Sequence, residues 1–241
     1  MNHHQELRLE HSSTVIQDWR DQAKLLWRQA MPQVMSQGWQ IAPVDPAIIL
    51  PAFDRLFLRP GYHLQAYKYR YGRDGHALVY ALPDGVALEA VVENASQPPA
   101  PPTAALQNPM QAIDGDGSLE SYLQASIFSR ELGDFYALGH GRSWDFVFVI
   151  GEDAWSEPGP VSPSRRKPAS SQHAFFWPAG TPIDLNPRIE KNAGQVIVQF
   201  YTYTALNVEC IILNQDTYTA GQYVFQPNPR EVAEGPQGFR I

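Results

Sequence analysis

Prolines set the outer limits on what this chain can fold into. There are 21 of them among 241 residues. Inside a helix or a central strand a proline deletes a backbone donor and clashes with its neighbours, so regular structure is confined to the stretches between them. Gln97-Pro-Pro-Ala-Pro-Pro102 reads as an extended polyproline connector. Residues 157–168, where prolines are interleaved with Ser, Gly and the run Arg165-Arg166-Lys167, read as an exposed loop.

Two stretches keep helical periodicity. Over 14–31, Thr14 and Gln17 have capping-box spacing, and Ile16, Trp19, Ala23, Leu26, Trp27, Ala30 and Val34 recur every three or four residues. Arg20, Asp21, Lys24 and Arg28 fall mostly off that face, and Pro32 breaks the run. Over 118–138, Ser118 is the N-cap, Glu120 suits the positive end of the helix dipole, and Gly139 is the stop. Apolar positions here cover more than one stripe, which predicts a largely buried helix. Asp45-Pro46 opens two short helical pieces separated at Pro51.

Strand signals fill most of the remainder. Tyr62–Tyr71 alternates, with Leu64 and Ala66 on one side and Tyr67, Tyr69 and Tyr71 on the other. Asp74-Gly75 and Asp84-Gly85 are turn signals, so 62–93 reads as a three-stranded meander. Phe146–Ile150 and His173–Trp177 are short strands. Gln195–Thr204 and Val208–Leu213 form a hairpin, with Tyr223–Phe225 as a third strand. Hairpins without repeated strand–helix–strand alternation predict an α+β fold, a mostly antiparallel sheet from 62–93 and 173–225 packed against two main helices. One domain over 1–241 is expected, with Trp19, Leu26, Tyr122, Ile127, Val198 and Ile211 in its core.

Composition then removes whole classes of function. Apolar residues make up 44%, enough for a real core and against wholesale disorder. The net charge of −7 argues against nucleic-acid binding, even though Lys68 and Arg70 lie among tyrosines. No apolar run reaches membrane-spanning length. A single cysteine, Cys210, and an N-terminus without an apolar core point to the cytoplasm. Cys210 lies in an apolar stretch and reads as a structural thiol. His63, His76, His140 and His173 are isolated, without zinc spacing, and phosphate-loop motifs are missing, so neither metal nor cofactor is expected.

Leu64-Gln-Ala-Tyr67, Ala112-Ile-Asp-Gly-Asp-Gly-Ser118, Gly139-His-Gly-Arg-Ser-Trp144 and Phe200-Tyr-Thr-Tyr-Thr204 resemble blocks of a group of conserved bacterial, chiefly cyanobacterial, proteins of uncharacterised function. The blocks cover about a third of the chain. The resemblance implies a bacterial, cytoplasmic setting and assigns no site residue.

Two constellations carry chemistry. In Asp114-Gly-Asp-Gly-Ser118, Asp114 and Asp116 could serve as acid–base groups or as turn and helix-cap acids. The segment fails the calcium-loop pattern, with Leu119 and Ala125 where Gly and Glu belong. In Gly139-His-Gly-Arg-Ser-Trp-Asp145, His140 could shuttle protons with Asp145 beside it. Arg142 could grip an anion and Trp144 could wall a pocket. The same residues equally make a helix stop with Trp144 in the core.

The sequence thus supports a noncatalytic accessory or protein-binding protein, rich in aromatics and with 14 Arg to four Lys. The alternative is a cofactor-free hydrolase or lyase using Asp114, Asp116, His140, Asp145 and Arg142. That site requires the helix between the two constellations to break, and Gly133 is the one internal residue inviting a break.

Overall fold

The computed structural model describes residues 7–31, 36–91, 97–98, 100–141, 143–152, 175–180, 182 and 184–238. Its elements in chain order are β1 (Leu7–Glu10), α1 (Ser13–Ala30), β2 (Gly38–Ile41), β3 (Leu56–Leu58), β4 (Tyr62–Tyr71), β5 (Asp74–Pro83) and β6 (Ile113–Gly115). Then follow α2 (Leu119–Gly133), β7 (Val147–Ile150), β8 (Arg188–Asn192), β9 (Gln195–Thr204), β10 (Val208–Thr219), β11 (Phe225–Pro227) and β12 (Arg230–Gln237). Every ladder is antiparallel, and the fold is α+β as the hairpin pattern predicts. Instead of one sheet spanning 62–93 and 173–225, the described strands form three, of seven, three and two strands. Two compact units emerge, one of residues 1–17, 145–220 and 225–241, the other of 18–144 and 221–224.

The first unit holds the seven-stranded sheet. β9 and β10 form the predicted hairpin, pairing from Cys210 with Thr204 to Thr219 with Gln195. Each is longer than its outer neighbours, so β8 and β7 share the free edge of β9, and β11 and β12 share that of β10. The buried face changes partway along. Val196, Val198 and Phe200 are buried at one end; Tyr201 and Tyr203 are buried on the opposite face at the other end. The latter pack with Ile150, Phe175, Ile211 and Leu213. The strand predicted at 173–177 reduces to a bridge between Phe176 and Glu234, with its first two residues outside the described set. Its proline-rich neighbour at 157–168 also lies outside.

The second unit holds the sheet β2-β4-β5, the ladder β3-β6, and α2. The β4–β5 turn sits one pair earlier than Asp74-Gly75 suggests. Tyr71 pairs with Asp74, leaving Gly72-Arg73 as the loop, with Gly72 at φ 59°. A two-residue hairpin loop needs that left-handed backbone, which glycine adopts without cost. No third meander strand forms over 86–91. Gln65 Oε1 accepts from Leu88 N and Tyr67 Oη donates to Glu89 O, so side chains hold this segment in place of a ladder. β2 pairs with the other edge of β4 instead. Asp45 caps a single 3-10 helix, Pro46–Ala52, which runs through Pro51 rather than breaking there.

α2 begins as predicted, with Ser118 Oγ accepting from Ser121 N, but stops at Gly133, five residues short of 138. Eight consecutive residues, Ser121 to Phe128, are buried. A helix enclosed on all sides is what apolar residues beyond one stripe demand. α1 is rotated from expectation. Its buried side is Ser13, Ile16, Gln17, Arg20, Ala23 and Trp27, while Trp19 and Leu26 are only half-buried. Val34 and Pro32 lie outside the described residues. Tyr122, Ile127, Val198 and Ile211 are core residues as predicted.

Ile127→Ala should therefore cost about 2–5 kcal/mol, the range for deleting a fully buried aliphatic side chain, and Leu26→Ala clearly less. Urea unfolding of the two variants measures the difference, and equal losses would contradict this assignment of the helix faces.

Candidate functional site

The acidic turn before α2 is built from its own short-range bonds. Asp116 Oδ1 accepts from Ser118 N (2.9 Å) and from Ser118 Oγ, while Oδ2 meets Arg55 Nη1 at 3.2 Å. Arg55 also stands 3.6 Å from Glu120. Partial burial pushes the Asp116 pKa up, but the Ser118 bonds and Arg55 outweigh it and hold the carboxyl below its usual range. Gln124, buried on α2, fixes Arg55 in turn: its Oε1 accepts from Arg55 N and its Nε2 donates to Asp54 Oδ1. Tyr223 closes the turn from the other side. Its hydroxyl accepts from Gly117 N (3.1 Å) and shares a 2.7 Å bond with Ser121 Oγ, and its ring stacks on Tyr122.

The loop after α2 is laced to the tip of the β4–β5 hairpin. Leu138 and Gly75 exchange both backbone bonds. Asp74 Oδ1 accepts from His140 N (2.9 Å) and lies 3.0 Å from His140 Nδ1, an exposed pair. The His140 amide, then its ring, keep the Asp74 pKa low. Gly139 has φ 55°, and a Cβ there would run into the Asp74 carboxylate. The Gly-His-Gly sequence is thus a socket for Asp74. Ser143 Oγ donates to Asp134 Oδ1 rather than to His140.

Between these ends lies a buried charge network that the sequence pattern hides. Arg20 is fully buried; its Nε donates to Glu131 Oε1 at 2.7 Å and its Nη2 to Trp144 O at 2.7 Å. Trp144 Nε1 donates to the same Glu131 oxygen at 2.8 Å, and its ring lies 4.3 Å from the Arg20 guanidinium carbon. A second buried cation, Lys68, shares the inward face of β4 with Leu64 and Ala66. Its Nζ donates to Gln40 Oε1 (3.0 Å) across the β2–β4 ladder and stands 5.9 Å from the Tyr136 ring. Burial, then Arg70, lower the Lys68 pKa. Tyr136, at φ 58°, is buried with its hydroxyl unbonded among the described residues, and burial pushes its pKa up to about 12.

A cavity of about 500 Å3 opens in the same unit, beside β3 and β6. Arg59, Met110, Gln111, Asp114, Tyr223 and Val224 are among its walls. Leu58 pairs with Ile113, and Arg59 N donates to Ala112 O at 2.8 Å, which extends the ladder by one rung. Period-two alternation puts Arg59 and Asp114 on one face of it. Arg59 Nη1 donates to Gln111 O (3.0 Å), and Asp114 Oδ1 accepts from Gly115 N (3.0 Å). No ion pair joins the two, nor either of them to another described residue.

Asp114 and Asp116 stand at one end of α2 and His140 beyond the other. Helix α2 runs unbroken from Leu119 to Gly133, roughly 22 Å at 1.5 Å per residue, and Gly133 ends it rather than bending it. Asp114 and Asp116 precede it and His140 follows it, each with partners of its own. Trp144 is buried in the Arg20–Glu131 network. Asp145 sits half-buried in the 3-10 turn Trp144–Phe146 and belongs to the first unit. Arg142 lies outside the described residues. Among the described residues, no three His, Cys, Asp or Glu side chains gather as metal ligands. Cys210 is half-buried, and burial, then Glu231 and Glu234, raise its pKa away from thiolate reactivity. Sequence reasoning missed Arg55, Arg59, Asp74 and Tyr223. All four are single residues far along the chain from the motifs they serve, so no spacing rule could have flagged them. Compared with family models, curated proteins and solved structures, the chain matches none.

Breaking the buried pair should be costly. Arg20→Met leaves the Glu131 carboxylate with only the Trp144 indole, and about 3–5 kcal/mol of stability should be lost. Adding Glu131→Gln should restore part of it, because the stranded charge is gone; a double variant as unstable as the single one in urea would refute this account.

Lys68 makes the opposite prediction. A folded pKa below the unfolded value near 10.4 means the ammonium opposes folding at neutral pH, a cost that fades as pH rises past the folded and then the unfolded pKa. Lys68→Met should therefore be more stable than wild type at pH 7 by roughly 1–3 kcal/mol. The gap should narrow by pH 10, as paired denaturation midpoints would show.

Proposed function

We propose that this protein is a noncatalytic binding protein that takes up a small molecule in the cavity beside β3 and β6. The observation that carries the reading is the wall of that cavity. A guanidinium and a carboxylate stand on one face of one ladder, each held by a main-chain bond and neither in an ion pair with another described residue. Ligand pockets commonly combine apolar lining with a few placed polar groups in volumes of roughly 300–1,000 Å3. Met110 and Val224 supply the apolar part here. Asp116 and His140, an acid and an imidazole suited to acid–base chemistry, stand at opposite ends of α2, and each is engaged in shaping a turn or a loop.

A second reading, hydrolase or lyase chemistry at His140, has one observation in its favour. Asp74 holds the Nδ1 side of an exposed imidazole, as the third member of a catalytic triad does. Titrating the 15N-labelled full chain with separate panels of carboxylic acids, amines, amino acids and sugars separates the two. Binding at the cavity should move the amides of Gln111, Asp114 and Gln222. Shifts confined to 138–141 would favour the second reading, and no shift from any panel would overturn the first.

A further inference from the structure

We infer that the ligand of this cavity is a small zwitterion with an apolar side chain, of the α-amino acid class. The inference rests on the binding function proposed above and names its substrate class. Residues on one face of an antiparallel ladder and diagonal to each other, as Arg59 and Asp114 are, have Cβ atoms roughly 7–8 Å apart. An arginine side chain is long enough to close that gap to a carboxylate. Here Arg59 turns instead to Gln111 O, and Asp114 keeps to its neighbouring amide. The main chain thus holds a cationic and an anionic group apart across one face, each with bonding capacity left. A guanidinium has five N–H donors and a carboxylate about four acceptor positions, and among the described residues each uses one.

A simple anion would satisfy Arg59 and face Asp114 repulsively. A simple cation would do the reverse. A molecule carrying both charges satisfies each wall, its carboxylate on Arg59 and its ammonium on Asp114. Val224, half-buried at the wall, then offers surface to an aliphatic side chain, with Met110 buried behind it. The Tyr223 hydroxyl takes no part, since Gly117 N and Ser121 Oγ already occupy it.

L-Leucine, 4-methylpentanoate and isoamylamine test this on the intact chain by NMR titration. The second probe lacks the ammonium and the third lacks the carboxylate. Leucine should bind at least about tenfold more tightly than either, the cost of leaving one charged wall group unpaired. Arg59→Gln should weaken leucine about tenfold and leave isoamylamine unchanged; Asp114→Asn should weaken leucine similarly and leave 4-methylpentanoate unchanged. Arg59 is exposed and Asp114 half-buried, and unchanged melting curves would confirm that both variants are folded. Leucine binding no tighter than the truncated probes, or losses that do not follow the missing group, would overturn the zwitterion while leaving the cavity as a binding site. Shifts at Gln111 and Asp114 from the sugar panel alone would do the same. Silence from every panel would overturn both.

Discussion

A guanidinium with no exposure to water must find its hydration replaced by protein partners, and Arg20 finds two of them on α2 and the loop beyond it. Glu131 supplies the counter-charge, Trp144 the carbonyl and the aromatic face. Such a pair adds little net stability over an apolar core, but it tolerates few alternatives, because every misplacement strands a charge. With Glu131 and Trp144 fixed to one arginine, the rotation and the end point of α2 are fixed as well. The rest of its unit inherits that placement. At one end Ser121 and Tyr122 receive Tyr223, and Tyr122 Oη accepts from Gly221 N. At the other end the chain turns through Tyr136 and Gly139 onto the hairpin tip.

The same interaction marks the limit of what was legible. Caps, turns and strand alternation depend on neighbours within four residues, and they read correctly at Ser118, Asp45 and the β9–β10 hairpin. Arg20 meets Glu131 across 111 residues. A periodicity that treats every charge as solvent-facing rotates α1 away from Arg20 and toward Trp19 and Leu26. Lys68 misleads for the same reason on β4: alternation alone puts it with Leu64 and Ala66, but its charge reads as exposure. In both places the partner, the buried Glu131 or the half-buried Gln40, is supplied by another element that no local window contains.

The two glycine-flanked motifs mislead in a different way. Asp-Gly-Asp-Gly-Ser and Gly-His-Gly gather the residue types of catalysis, and those are also the residue types of tight turns. Asp116 is needed where an amide and a hydroxyl point at the start of a helix, and Gly139 where the backbone must take a positive φ against a carboxylate. Chemistry and turn geometry draw on the same short list of side chains. What separates them is where the remaining bonding capacity goes. Asp116 is engaged by Ser118 and Arg55, and Asp74 by His140.

Residual capacity is what distinguishes Arg59 and Asp114. Arg59 belongs to no motif, and Asp114 opens the Asp-Gly-Asp-Gly-Ser motif only two residues before Asp116, which Ser118 and Arg55 engage. The difference lies in the partners each meets. Asp114 stands opposite Phe57 in the β3–β6 ladder and bonds only its neighbouring amide among the described residues; Asp116, one rung beyond Gly115 with its N donating to Arg55 O, meets the Arg55 guanidinium and folds back on Ser118. Tyr223 tightens that division. Its ring fills the space that a Cβ on Gly115 would occupy, so the chain is held between the two acids at the point where one role gives way to the other. Gly221–Val224 thus serves α2 through Tyr223 and the cavity through Val224, and packing that braces the helix also sets the wall against which a ligand would rest.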